Sequence, residues 1–404
     1  MDAPQTGAVT GRFDLADPAR FADDGYLAEL DRLREDDPVS RHPEADGPGF
    51  WVVTRHADVC QVYSNDSLFS SNRGMRLGGD PDAVRAVADR MLIVSDPPRH
   101  QRIRRLVGSA FTPRAMRALE SSIRTVVGEL MDTALESGSC EFVSTVARPL
   151  PTDLVCAYMG LPRADWRTVG ELTTEGIDSE DEDDRFAANT ELFLYFSRVI
   201  EQRRRQPGED MISSMLAAAD EAAGPEPFSD VDLVMNFVGI LIGANETTRY
   251  TVAGGLVALT EHPAQWQALQ RDAGLVDTAV DEILRWVAPA VHALRTVTSD
   301  TELHGHTLAA GDRVTVWTAA ANRDPRVFEQ PERFDLARTP NRQLSFGYGR
   351  HVCVGARLAR MQIAAFVEEL RTRVGAIELD GPVAWNPSNF TRGPIRLPVR
   401  LSAR

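Results

Sequence analysis

Phe346-Gly347-Tyr348-Gly349-Arg350-His351-Val352-Cys353-Val354-Gly355 is the stretch on which the reading of this chain turns. Gly347 and Gly349 permit a tight turn with backbone dihedrals that a side chain would resist. Such a turn frees backbone N–H groups to point at the Cys353 sulfur. Gly355 then lets a helix begin close beneath a flat cofactor. That helix offers its partially positive N-terminus to an anionic thiolate. The pattern suits a cysteine held as a metal ligand. A bare GxGxxxC spacing is more often a glycine-rich hairpin around a buried cysteine, so the choice rests on the rest of the chain.

Working outward, the 404 residues are 43% hydrophobic and 25% charged, as in an ordinary globular protein able to enclose a cofactor. The net charge of −15 argues against nucleic acid and anionic membrane as general partners. The first residues lack a basic start followed by an apolar run. The longest apolar candidate, residues 231–244, already holds Asp232 and Asn236. No signal peptide or membrane span is expected, and the protein is expected in the cytoplasm. There is no lysine, which excludes Schiff-base lysine chemistry, pyridoxal enzymes and a Walker-type phosphate loop. Cys60, Cys140, Cys156 and Cys353 are scattered without a CxxC pair, so neither a disulfide framework nor a cysteine-rich zinc site is expected. The first three read as small buried hydrophobes.

Hydrophobic spacing predicts a mainly α chain with a minor β region and no internal repeat. Residues 1–25 read as an irregular leader, residues 50–54 as a short strand, and residues 70–95 as a long loop with one short helix. Asp96-Pro97-Pro98 marks a turn opening a helix. The acidic run 178–184 reads as a solvated loop. Ser229 and Asp232 resemble a capping box at the head of a long helix reaching about Leu259. Helices continue to Trp286, strands fill 295–318, residues 354–371 return to helix, and the C-terminal part reads as short strands and turns.

The whole stretch around Cys353 resembles the haem-binding signature of the cytochrome P450 family, FGxGxHxCxG, and further landmarks follow in the family's order along nearly the entire chain. Glu282-Ile283-Leu284-Arg285 resembles the ExxR motif, on a helix with an apolar stripe. The resemblance implies a buried pair of Glu282 and Arg285, with a third partner from the 331–334 segment. Arg333 is the expected one and Arg338 the competitor. Gly243-Ala244-Asn245-Glu246-Thr247-Thr248 matches the family's small pair followed by an acid and an alcohol, with Gly-Ala in place of the commoner Ala-Gly. It implies Thr247 as the hydroxyl at the oxygen side of the haem and Glu246 as the proton relay, both catalytic. His100 and Arg104, four apart on one helical face, together with Arg295 and His351, resemble the family's propionate ligands, since buried carboxylates require charged or hydrogen-bonding partners. Ala244, Phe346, Gly347 and Gly355 complete the expected haem contacts. Met361 stands where the family often has an acid.

The resemblance implies a single-domain fold over residues 1–404, with haem b (iron protoporphyrin IX) buried between two long helices, Cys353 as axial ligand, and a monooxygenase using O2. No flavin or nicotinamide fold is left over, so electrons are expected from a ferredoxin-type donor docking near Arg350, Arg357, Arg99 and Arg102. A monomer is expected. The family's pocket segments nominate Met75, Arg76, Leu92, Gly239, Ile242, Gly243, Ala290, Val291, His292, Asn389 and Phe390 around a medium-sized natural product, free or presented by a carrier protein. The same haem site also serves epoxidation, phenol coupling, desaturation or nitration in the family. A haem-thiolate sensor is the rival of another class, disfavoured by the presence of Glu246-Thr247.

Overall fold

The computed structural model describes residues 13–45, 47–178, 181–222 and 226–404. Its spine is the helix Asp230–Glu261, which starts where the capping box predicts: Asp232 N–H donates to Ser229 Oγ at 3.2 Å, and Ser229 N–H donates to Asp232 Oδ2 at 2.9 Å. This long helix is buried along most of its length, because other helices pack on several of its faces. Val252, Leu256 and Leu259 join one core with the helices Pro113–Ser137, Val276–Val287 and Ala356–Arg373. Leu233, Phe237 and Leu241 join a second core with the helices Arg99–Gly108, Glu182–Arg205 and Met211–Glu221.

The β portion lies to one side. A five-stranded sheet runs in the order Val39–Glu44, Gly47–Val53, Arg313–Trp317, His292–Val297, Phe69–Ser70. Trp51 pairs with Val314 in parallel, and His292 pairs with Trp317 antiparallel. Buried Val52, Val53, Val314 and Val316 give the sheet its apolar faces. No helix among the described residues is long and apolar enough to cross a membrane.

Three expectations need correction or completion. Of the leader 1–25, residues 1–12 lie outside the described residues, but residues 13–25 are not irregular surface chain. They include a 3-10 turn, Pro18–Phe21, and bury Leu15 and Phe21 against Tyr26 and Trp317. In the acidic run, residues 179–180 lie outside the described residues. Asp181 is a helix cap that accepts the Asp183 N–H at 2.8 Å, so Asp183 and Asp184 lie in the first turn of the helix Glu182–Arg205, where negative charge complements the N-terminal dipole. The strand Val39–Glu44 was not foreseen, because Arg41, His42, Pro43 and Glu44 carry no β signal.

Candidate haem and active site

The Cys353 loop has the geometry its glycines anticipate. Gly347 and Gly349 have φ of +72° and +71°. At Gly349 a β-carbon would also lie 2.6 Å from the Tyr63 carbonyl oxygen, so glycine is required there twice over. Cys353 N–H donates to the Phe346 carbonyl at 2.8 Å, and Gly347 N–H to that of Leu344 at 2.7 Å. The helix Ala356–Arg373 starts directly behind. Burial pushes the Cys353 thiol up, while the Gly355 N–H and the Arg104 guanidinium pull it down. The other cysteines lack such a cation: burial pushes Cys60 up to about 11 and Cys156 up to about 12. Of the four, Cys353 is the one with a guanidinium that works against the effect of burial.

His100, Arg104, Arg295 and His351 come together from four separate segments. The His100 and His351 rings lie 4.1 Å apart. His100 is almost fully buried, yet neither ring nitrogen has a hydrogen-bond partner among the described residues. Burial, reinforced by Arg104, lowers its pKa, and burial with Arg295, His100 and Arg104 drops His351 to about 2. Arg295 is buried too and stacks 5.3 Å from the Tyr63 ring. Four cationic or potentially cationic groups thus crowd one place with no carboxylate in ion-pair contact among the described residues; Asp66 and Asp96 act on His100, and Asp96 on Arg295, only from farther off, so the crowding costs stability by itself. Two buried carboxylates would satisfy it. The orphaned His100 nitrogens and this donor set fit the propionates of a haem.

The polar run on the long helix divides its side chains among three directions. Asn245 turns away and accepts the Thr152 hydroxyl at 3.1 Å, tying the helix to Pro149–Tyr158. Glu246 is buried and ion-paired with Arg249 at 2.7 Å. Arg249 in turn donates to the Tyr250 hydroxyl at 2.8 Å, which also accepts from Asn386 Nδ2 at 2.9 Å. Thr247 donates to the Gly243 carbonyl at 3.0 Å. Gly243 and Thr247 share a face, and Gly243 is accessible in the middle of a buried helix, with nothing within 4 Å of a β-carbon built on it. This face looks onto open space. Ala244 and Val354, the neighbour of Cys353, pack against the same core.

The Glu282–Arg285 pair is fully buried and bidentate, at 2.8 Å for both contacts. The third partner is Arg338, whose Nε reaches the two Glu282 oxygens at 3.2 and 3.0 Å. Arg333 was the wrong choice. Its side chain is 59% exposed and only 4.0 Å from Asp335, and it contributes its backbone carbonyl, which accepts from Arg285 and Arg338. Asn341 and the Asp335 N–H, which sequence reasoning missed, complete the shell of Glu282.

Several nominated pocket residues have structural roles instead. Val291 is fully buried in the core around Trp317. His292 accepts the Leu77 N–H at 3.1 Å on Nε2 and donates from Nδ1 to the Asn389 carbonyl at 2.6 Å. Asn389 Nδ2 donates to the Leu15 carbonyl. Leu92 and Ile242 pack partly into the second core, and Gly239 faces Met91. Ala290 pairs with Thr391, beside Phe390. Met75 and Arg76 remain beside this layer. Arg99 and Arg102 do not join a patch with Arg350 and Arg357: both stack on Phe228 and pair with Asp232 and Glu226.

Comparison with known proteins agrees with this geometry. The cytochrome P450 family profile matches residues 176–370. Cytochrome P450 NovI of Streptomyces niveus is 35% identical, covering 97% of both chains. Linalool 8-monooxygenase of Pseudomonas putida is 33% identical, covering 96% of this chain and 99% of its own. The crystal structure of P450 OxyD, described as involved in the biosynthesis of vancomycin-type antibiotics, superimposes with a TM-score of 0.87 at 33% identity, covering 97% of this chain and 100% of its own. A glycine-built cysteine loop, a basic cluster with no ion-paired anion among the described residues and likeness along the whole chain lead to one conclusion: this chain belongs to the cytochrome P450 family of haem b monooxygenases.

Proposed function

We propose that the chain works as one domain that inserts an oxygen atom from O2 into a small or medium-sized organic substrate of secondary metabolism, with Cys353 as the residue that would ligate the haem iron and electrons from a ferredoxin and its reductase. The observation that carries the site assignment is the cluster of His100, Arg104, Arg295 and His351, in which, among the described residues, both buried His100 ring nitrogens lack a hydrogen-bond partner and no carboxylate makes an ion pair. These residues bind the propionates. The Gly355 N–H and Arg104 favour the Cys353 thiolate and offset part of the burial that pushes its thiol up. Bound haem supplies the oxidising chemistry. Thr247 Oγ1, hydrogen-bonded to the Gly243 carbonyl, holds a proton at the cavity face, and Glu246 passes protons to it. Gly243 and Ala244 keep that face open. Electron-donor docking falls to the surface of the Cys353 loop, where exposed Tyr348 and Val352 flank Arg350, itself paired with Asp66 at 2.7 Å. An apolar centre with a cationic rim suits an acidic partner.

The test is spectroscopic. Reduced, CO-treated protein is expected to show the thiolate-type Soret band, and Cys353→His to abolish it. Absence of the band from the unaltered protein would overturn the assignment. Product formation with NAD(P)H and surrogate ferredoxin partners separates an oxygenase from a sensor.

A further inference from the structure

Arg76 lies between the strand Phe69–Ser70 and the helix Pro81–Val87, in a segment fixed on both sides. Leu294 N–H donates to the Met75 carbonyl at 2.9 Å, and Leu77 N–H donates to His292 Nε2 at 3.1 Å. The guanidinium sits 5.8 Å from the centre of the Phe390 ring, which meets the His292 ring edge-on. Its side chain is accessible, yet burial lowers its pKa. Cys353 shows the same pairing of an accessible side chain with burial. A side chain that water can reach but that protein crowds on most sides lies in a recess rather than on a convex surface.

Among the described residues no carboxylate forms an ion pair with Arg76. The charge that acts on it is another cation, Arg185, in the first turn of Glu182–Arg205. His292 adds no positive charge near neutral pH, since burial drops it to about 4. A guanidinium withdrawn from water without an anion is unfavourable unless an incoming group supplies the missing charge. The propionate cluster is a separate place: His292 and Arg295 stand three residues apart on their strand, about 10 Å at some 3.3 Å per residue.

We propose that Arg76 anchors the carboxylate of the substrate, and that this pocket takes organic acids with an apolar body, the acid seated beside Phe390. The proposal rests on the reading of this recess as the substrate pocket of the oxygenase. It restricts the substrate to molecules carrying a free carboxylate.

The experiment uses the haem-loaded enzyme at pH 7.5 and three matched pairs: dodecanoate and dodecanamide, 4-phenylbutanoate and 4-phenylbutanamide, indole-3-acetate and indole-3-acetamide. Binding is read by calorimetry and by the spin-state shift of the Soret band. At least one acid is expected to bind about 10- to 100-fold more tightly than its amide. Arg76→Met should remove that preference while leaving amide affinity unchanged, and Arg76→Lys should restore part of it. Equal binding of acids and amides, no binding of any pair, or a preference that survives Arg76→Met would overturn the anchor. Calorimetry decides this whatever the CO spectrum shows, so failure of the anchor and failure of the haem assignment are separate results.

Discussion

Replacing Arg338 and Arg333 separately with methionine tests how the centre of the fold is held. Arg338 gives Nε to both Glu282 oxygens and its other nitrogens to the carbonyls of Glu329, Gln330 and Arg333, at 2.7, 3.2 and 2.8 Å. Glu282 is fully buried. Stripping a buried charge of its partner costs about 3–5 kcal/mol. Here Glu282 would keep Arg285, Asn341 and the Asp335 N–H. The freed carbonyls lie near the surface, where water replaces the lost donors. Arg338→Met should therefore cost about 2–3 kcal/mol, below the full penalty. Arg333→Met removes an exposed side chain and a 4.0 Å pair, and should stay within about 0.5 kcal/mol. Urea midpoints followed by tryptophan fluorescence, at equal haem saturation, measure the difference. If the two variants lose equal stability, or Arg333→Met loses more, the reasoning is wrong.

His292 is held neutral, with a folded pKa near 4 against 6.5 for the free side chain, so below pH 6.5 the unfolded chain binds more protons. The stability this gives is complete above pH 6.5 and falls as pH drops toward 4, by about 3 kcal/mol in all. His292→Gln should flatten the unfolding free energy over that window, and an unchanged slope would count against it. Gly349→Ala, which puts a methyl 2.6 Å from the Tyr63 carbonyl at a φ of +71°, should cost about 1–3 kcal/mol and lower haem content. Gly243→Ala, with open space around its β-carbon, should keep haem content and alter only ligand affinity. Arg104→Met should weaken haem retention, measured by transfer to apomyoglobin, yet leave the haem-free protein as stable or more so, because it relieves the crowding of cations. A loss in both measurements would refute the view that haem supplies the missing anions.

Where a residue's role depends on local spacing, the sequence carried it. The capping box at Ser229 and Asp232, the one-turn pair of Glu282 and Arg285, and the turn glycines of the Cys353 loop act within a few residues of themselves. Roles set by distant partners were hidden. Nothing in Pro331-Glu332-Arg333-Phe334 reveals that Arg333 turns to solvent while Arg338 turns inward; that depends on the path of the chain around Glu282. His292 and Asn389 have the polarity of pocket residues and sit in pocket segments. Their partners Leu77 and Leu15 are 215 and 374 residues away, and those contacts make them fastenings of the wall. The same contact to Asn389 explains why Leu15, in a leader without periodicity, is buried.

The polar run of the long helix shows how one segment can be both active and structural. Successive helical residues point about 100° apart. Asn245, Glu246 and Thr247 therefore face a neighbouring helix, an internal arginine and the cavity in turn. Each direction has its own solution: the Thr152 hydroxyl, Arg249 and the Gly243 carbonyl. Arg249 extends the arrangement to Tyr250, whose ring lies so close to the C-terminal turn that a β-carbon on Gly393 would stand 2.3 Å from it. Asn386 binds the same hydroxyl and, through its backbone N–H, the Gly393 carbonyl. The turn fastened in this way is the one that carries Phe390, the ring against Arg76. The carboxylate beside Thr247 and the turn that carries Phe390 are thus held by one continuous set of hydrogen bonds and contacts. Glycine at 393 is required by this arrangement, since a side chain there would collide with Tyr250.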